Sequence, residues 1–216
     1  MKHFRKEEIQ ALGRIKRLNL INSITGIKPA NLIGTSSKAH GTNLAIVSSV
    51  VHLGSNPPLL GFVMRPGQKV RRHTYENIQE NGVYTINHVH QEVIEQAHYT
   101  SAKFDESISE FEACTFTEEY LFGFAAPFVK ESRIKLGLRL VEEIPIERNQ
   151  TTLIIGELEH LQLDEIALSS DGQVNLESVS GVGISGLNCY YSLKKIDEFP
   201  YARPTELPNF RDRTDG

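Results

Sequence analysis

A β-barrel with helical excursions is the fold class this sequence predicts. Three observations predict it. Short runs rich in Val, Ile and Leu recur along the chain, each bounded by Gly, Pro, Asn or Ser, which is how strands between turns read. Strands and helices do not alternate regularly, which argues against a parallel doubly wound sheet. The stretch from Ala39 to Met64 contains no Asp, Glu, Lys or Arg. Asn43, Ser48, Ser49, His52, Ser55, Asn56 and two prolines break it up, so it reads as buried strands and not as a spanning helix, which needs about 20 mostly apolar residues. A chain of 216 residues fits one large domain. It is read as a single domain over 1–216, with a short N-terminal helix and an extended C-terminal tail.

In chain order, Lys6–Leu12 predicts a short amphipathic helix. Leu18–Thr25 and Asn31–Thr35 predict strands, and Ser36–Gly41 is small, polar and turn-forming. Asn43–Val51 suits a buried strand, closed by the turn Gly54-Ser55-Asn56-Pro57-Pro58. Leu59–Arg65 is the next strand, stopped at Pro66-Gly67. Thr74 is expected as the N-cap of a helix through Gln79, with Glu76 in its first turn, and Asn81-Gly82 as its stop. Val83–His88 predicts a strand. Glu92–Tyr99 and Ile108–Cys114 predict helices joined by a polar loop. Ile134–Ile144 and Thr152–Leu163 predict long strands. Asp171-Gly172 is a hairpin turn signal, and three prolines with many charges predict an extended chain from Pro200 onward.

The net charge of −4 excludes a strongly basic chain but hides an asymmetry. Residues 1–75 carry a net +10 and residues 76–216 a net −14, which directs the search for an anionic partner to the first third. The densest cationic cluster is Arg65, Lys69, Arg71 and Arg72, followed by His73-Thr74. A helix start there offers free backbone N–H groups and a positive dipole end, and Arg adds bidentate bonds to phosphate oxygens. One phosphate monoester suits the site better than nucleic acid. Tyr75 is the only aromatic beside the cluster, and the rest of the chain is acidic. Asn43, Ser48 and Ser49 stand in an otherwise apolar strand. Backbone or water partners can satisfy them, and so can a flat heterocycle with carbonyl and imide edges.

Other patterns exclude more than they suggest. The two cysteines, Cys114 and Cys189, stand far apart, so neither a disulfide framework nor a zinc knuckle is expected. The N-terminus lacks a signal-peptide apolar stretch, and a cytoplasmic location with no membrane association is expected. Gly181 to Gly186 spells GxGxxG, but polar residues precede it and only 30 residues follow, so it reads as a turn and not as a dinucleotide fingerprint. His88 and His90 share a strand face if the strand reaches that far. Nothing fixes a third ligand, and no metal site is assigned.

Together these segments resemble the flavin reductase-like family with the FMN-binding split barrel. The resemblance rests on Ile33-Gly34-Thr35, Gly41 through Ser49, Asn56-Pro57-Pro58-Leu59, Arg72 through Ile78, Gly82 through Asn87, Thr100 through Asp105, and Ser109-Glu110-Phe111. It covers roughly residues 18–200. Two departures stand out. His40-Gly41 replaces an Asp-Gly common in the family, and Gly183-Ile184-Ser185-Gly186 lacks the Arg that many members carry there.

The resemblance implies a split β-barrel and a bound FMN. It implies that Thr35, Asn43, Leu44, Ala45, Ser48, Ser49 and Val50 border the flavin ring and ribityl chain. It further implies that Arg65, Arg72 and Thr74 meet the phosphate, and that His98, Thr100 and Ser101 lie near the flavin. It implies a homodimer with NADH or NADPH as electron donor, acting as a flavin reductase-type oxidoreductase that passes hydride through FMN to a second acceptor. A non-catalytic FMN-binding protein or flavin electron carrier is the alternative. No catalytic side chain is assigned, since the flavin carries the chemistry. His52, His98 and Tyr99 are candidates only for shaping the substrate face.

Overall fold

The computed structural model describes residues 1–67, 71–105 and 107–210. Its helices are α1 (Lys6–Ala11), α2 (Arg14–Ser23), α3 (His73–Asn81), α4 (Ile94–Tyr99) and α5 (Glu110–Ala113). Its strands are β1 (Lys28–Pro29), β2 (Asn31–Ser37), β3 (Gly41–Val47), β4 (Val51–Ser55), β5 (Pro58–Met64), β6 (Val83–His88), β7 (Glu118–Glu119), β8 (Phe128–Val129), β9 (Ile134–Ile146), β10 (Thr151–Leu163), β11 (Val182–Ser185) and β12 (Cys189–Ser192).

Seven of these form one antiparallel sheet in the order β3-β2-β6-β9-β10-β5-β4. Its two outermost strands, β3 and β4, are consecutive in the chain and joined only by Ser48, Ser49 and Val50. Laid flat, seven strands are about 29 Å across at ~4.8 Å per strand. The four Cα steps from Val47 to Val51 reach about 14 Å. The sheet therefore has to curl until its edges approach, and it becomes a barrel. The edges do not pair with each other, so the barrel is split along that seam. Ser49 links the two sides: its hydroxyl accepts from Val63 N–H of β5 at 3.0 Å and donates to the Val63 carbonyl at 3.4 Å.

Curling gives the sheet an inside and an outside, and the strand alternation divides the apolar residues between them. Inside, Ile33, Phe62, Tyr84, Ile86, Leu136, Leu138 and Ile154 form the barrel core, joined by Ile78 of α3. Outside, Leu32 and Leu44 pack with Val93, Ala97, Phe111 and Phe116 from the α4–α5 region. β2 is thus covered on both faces, which explains its near-continuous burial.

The predicted strand over Leu18–Thr25 is instead α2. Its apolar run is short enough to fit either period. Helix-forming residues Arg14 to Leu18 precede it, and no neighbouring strand is available to pair with it. The Asn22 amide donates to the Leu18 carbonyl and the Ser23 hydroxyl to the Asn19 carbonyl, both four residues back. The predicted strand over Asn43–Val51 is divided by the seam into β3 and β4. The helix around Thr74 begins two residues earlier than expected: Arg72 occupies the N-cap position, without a side-chain cap, and Thr74 lies within the first turn. Gly82 does end that helix, in the left-handed conformation at φ 69°.

The GxGxxG stretch forms β11 and the turn after it. β11 pairs with β12 and β1 in a separate three-stranded sheet, and no α-helix follows it among the described residues. Gly183 is required there by close approach: a Cβ would fall 2.2 Å from Ile27 Cγ2. Asp171-Gly172 turns the chain between a single bridged pair, Leu168 and Val174, and not between two strands. After Pro200 the described chain is exposed, with one short 3-10 turn at Pro204–Glu206.

His88 closes β6 at one end of the barrel. Burial lowers its imidazole pKa to about 4. With a value of about 4 in the fold and 6.5 in the open chain, this imidazole makes stability no more pH-dependent above about 6.5. Stability then falls as pH drops through that window, because only the unfolded chain takes up the proton, and the loss is complete below about 4. Replacing His88 with Phe is expected to remove about one proton from the acid-side slope, or ~1.4 kcal/mol per pH unit within the window. Denaturant melts of both proteins between these pH values measure it.

Candidate functional site

The seam is also where backbone chemistry is left over. Among the described residues, the N–H and C=O groups of Ser48, Ser49 and Val50 make no backbone hydrogen bond, although all three residues are partly buried. Buried backbone groups are normally paired. Three successive residues that offer donors and acceptors on a partly covered ledge match the alternating carbonyl and imide edge of a heterocycle.

The strand leading into the seam is held rigidly. As the outer edge of the sheet, β3 turns alternate N–H groups away from β2. Side chains from the α4–α5 region occupy two of them. Glu110 Oε2 accepts from Leu44 N–H at 3.0 Å, and Thr100 Oγ1 accepts from Ile46 N–H at 3.0 Å. Thr100 also donates to the Ala97 carbonyl at 2.8 Å, which fixes its rotamer. Glu110 is buried, and burial pushes its carboxyl pKa up. The Leu44 N–H, its own N–H and nearby His73 pull it back down.

Next to the seam lies the cationic cluster. Arg65 follows β5 two residues after Val63, and Arg72 sits at the start of α3. The first-turn N–H groups of that helix have no intrahelical partner. Burial lowers the Arg72 pKa, and the neighbouring Arg65 charge lowers it further. Arg72 Nε donates to the Pro66 carbonyl at 3.2 Å. Among the described residues neither Arg65 nor Arg72 has a carboxylate partner, whereas Arg71 is paired with Glu76 at 2.8 Å. Two adjacent cations at a helix start, with no carboxylate partner among the described residues, suit an anion such as a phosphate. Lys69 of the predicted cluster lies outside the described residues.

The remaining predicted residues divide into those along the seam and those packed behind it. Ala45, Ser48, Ser49 and Val50 lie along β3 and the seam, partly buried. Asn43 Nδ2 donates to Thr74 Oγ1 at 2.9 Å, both residues being buried, so this pair locks β3 to α3. Thr35 is fully buried and accepts from Asn77 Nδ2 at 3.1 Å, supporting α3 from below. The Leu44 side chain is fully buried in the outer core. His98 Nδ1 lies 3.1 Å from the Tyr190 hydroxyl, whose pKa burial raises to about 12. Ser101 Oγ donates to the His98 carbonyl at the end of α4. Thr35, Leu44 and Thr100 thus hold the site's frame from behind.

Glu110 and Asn77 have supporting roles that the sequence patterns do not assign. The available signal for Glu110 is a carboxylate directly before Phe111 in a four-residue helix that also carries Glu112. The two histidines considered for metal do not share a strand face, because β6 ends at His88; the ring of His90 contacts the Glu131 carbonyl at 3.0 Å instead. Among the described residues no three His, Cys, Asp or Glu side chains gather as a metal site.

Comparison with known proteins defines the class. Residues 27–175 match the family described as flavin reductase like domain. The chain belongs to the flavin reductase-like family. Its fold superposes with a TM-score of 0.90 on a split-barrel protein of Shewanella frigidimarina NCIMB 400, provisionally described as a flavin reductase, at 51% identity over 94% of this chain and 100% of that one. It resembles the flavoredoxin of Desulfovibrio vulgaris (Miyazaki F) with a TM-score of 0.71, at 23% identity over 82% of this chain and 92% of that one. It resembles an FMN-binding protein of Thermus thermophilus, solved with bound 1-cyclohex-2-enone, with a TM-score of 0.73, at 14% identity over 93% and 100%. The last two likenesses are of fold.

The hydrogen bonds that seal β3 can be tested directly. Glu110→Ala strands the Leu44 N–H in a buried position and is expected to destabilise the protein by about 1–3 kcal/mol. Glu110→Gln keeps an acceptor and is expected to lose less. Hydrogen exchange at the Leu44 amide should quicken in the first variant and stay protected in the second.

Proposed function

We propose that the protein is an FMN-dependent oxidoreductase of flavin reductase type, taking hydride from NADH or NADPH and passing electrons to a second acceptor. The observation that carries this reading is the closeness of two chemistries left unsatisfied among the described residues, since Ser49 of the seam bonds Val63, two residues before Arg65. The unpaired backbone of Ser48–Val50 suits the edge of a flavin ring, and the uncompensated Arg65–Arg72 pair at the α3 start suits its phosphate. Bound FMN would supply the hydride-accepting ring and the onward electron transfer.

The chain's own work is then binding and orientation. Arg72, Arg65 and the first-turn N–H groups of α3 would neutralise the phosphate. The seam backbone would hold the imide edge of the ring. Asn43 and Thr74 fix the spacing between the two subsites, and Thr100 and Glu110 keep β3 straight behind them. The proposed assembly is a single domain acting as a homodimer in the cytoplasm. Its support is an exposed apolar sheet face carrying Val51, Leu53, Ile144 and Ile146, larger than scattered surface residues require. Among the described residues no helix is long and apolar enough to cross a membrane.

A non-catalytic flavin carrier is the second reading. One observation favours it: no ionisable side chain stands within the seam segment Ser48–Val50 itself. Purified protein is expected to be yellow and to release FMN on denaturation. Anaerobic stopped-flow mixing with NADH or NADPH is expected to bleach the flavin at a catalytically useful rate. Bleaching by neither nucleotide would leave the carrier reading standing, and a colourless protein that binds no FMN would remove both. Arg72→Ala is expected to weaken FMN binding about 10- to 100-fold, the worth of a charge-assisted hydrogen bond, as read by fluorescence titration.

A further inference from the structure

One end of the barrel is hollow. The cavity there has a volume of about 410 Å³, and its walls include Leu60, Leu136, Leu158 and Leu176 with His52 and His88. That lies within the roughly 300–1,000 Å³ range of small-molecule pockets. The cavity shares the β4–β5 hairpin with the seam, but Ser48–Val50, Arg65 and Arg72 are not among its lining residues.

Two polar side chains at this end are left without partners. The His88 ring faces the cavity and makes no hydrogen bond among the described residues; only its backbone carbonyl is engaged, by Ser132 Oγ at 3.0 Å. Its lowered pKa keeps it neutral near pH 7, so it can donate from one nitrogen and accept at the other. Asn31 pairs with His88 across β2 and β6, so the two side chains lie on the same face of the sheet. Asn31 is 1% exposed, and among the described residues neither its Nδ2 nor its Oδ1 has a partner. An orphaned buried amide is costly and calls for an explanation. An unpartnered amide and an unpartnered imidazole in register, beside an apolar hollow, point to a polar group that arrives from outside.

We propose that this cavity binds a small, uncharged, largely apolar molecule, about the size of a fused bicyclic ring, which presents one hydroxyl or carbonyl to His88. A charge is disfavoured because the leucine walls offer it no counter-charge. A flat surface of a second copy would cover rim residues such as Leu161 and Val174, yet it would leave His88 and Asn31 as unpartnered as before. The site is independent of the flavin reading, because it uses none of the residues assigned to FMN.

The test uses the full chain and 2-naphthol, whose fluorescence is readily followed in a protein with no Trp. Saturable one-site binding is expected, undiminished by saturating FMN. His88→Phe is expected to weaken 2-naphthol about tenfold, the value of one hydrogen bond, while naphthalene binding is unchanged. Leu161 and Val174 are 51% and 42% exposed, so Leu161→Phe and Val174→Phe can narrow the mouth without disturbing the core or adding a Trp. Each is expected to weaken both probes at least tenfold. Absence of saturable binding, displacement by FMN, or affinity indifferent to all three substitutions overturns the proposal. So does conversion of a dimer to a monomer by the rim substitutions in sedimentation velocity, since the face would then belong to a second copy.

Discussion

A three-residue connection between the first and last strands of a seven-stranded sheet governs this structure. Ser48, Ser49 and Val50 cannot span a flat sheet, so the sheet bends, and bending creates both the enclosed core and the seam. Residues distant in sequence meet at that seam for this reason: β5 lies across it from β3, Arg65 follows β5, and Arg72 is placed by the helix that β5 leads into. The same closure aligns Ile33, Tyr84, Leu138 and Phe62 inward from four different strands. Core and site are two results of one geometric demand.

The second layer of order is polar. β3 is an edge strand, and an edge with free N–H groups invites pairing with another chain. Glu110 and Thr100 cap two of those groups with side-chain oxygens. Asn43 and Thr74, with Asn77 and Thr35, fasten α3 across the strands. These bonds are buried, where an unmade bond is expensive, so they define position as much as they add stability. Among the described residues, Arg65 and Arg72 have no carboxylate partner.

Much of this is legible in the sequence, for identifiable reasons. β5, β6, β9 and β10 announce themselves because each is an apolar run between strong turn signals. The cationic cluster stands out because Arg65 to Arg72 is a dense run of cations in an acid-free stretch. Two things are hidden. The break between β3 and β4 carries no Gly or Pro: Ser48 and Ser49 leave the ladder only because the barrel must close, and closure is a property of strand order. α2 reads as a strand because Leu18, Leu20 and Ile21 suit either period when no partner strand is in view. The roles of Thr35 and Thr100 as internal supports depend on long-range hydrogen bonds, and local patterns do not encode them. The basic N-terminal residues prove local as well: Arg17 donates to the Gln10 and Leu12 carbonyls, and Arg14 and Lys16 are exposed.

The seam carries a constraint of a different kind from those on the core. A core position restricts which side chain it accepts, and a turn such as Glu147–Gln150 tolerates extra residues because both its strands remain paired. The Ser48–Val50 link restricts how many residues it contains. Apart from Ser49, whose hydroxyl bridges to Val63, side chains there can vary, but an insertion would lengthen the tether that draws the two sheet edges together, and a deletion would overtighten it. The circumference of the barrel is therefore written into the chain as a count of residues. Divergence at Ser48 and Val50 is free to change identity and is held to a fixed length.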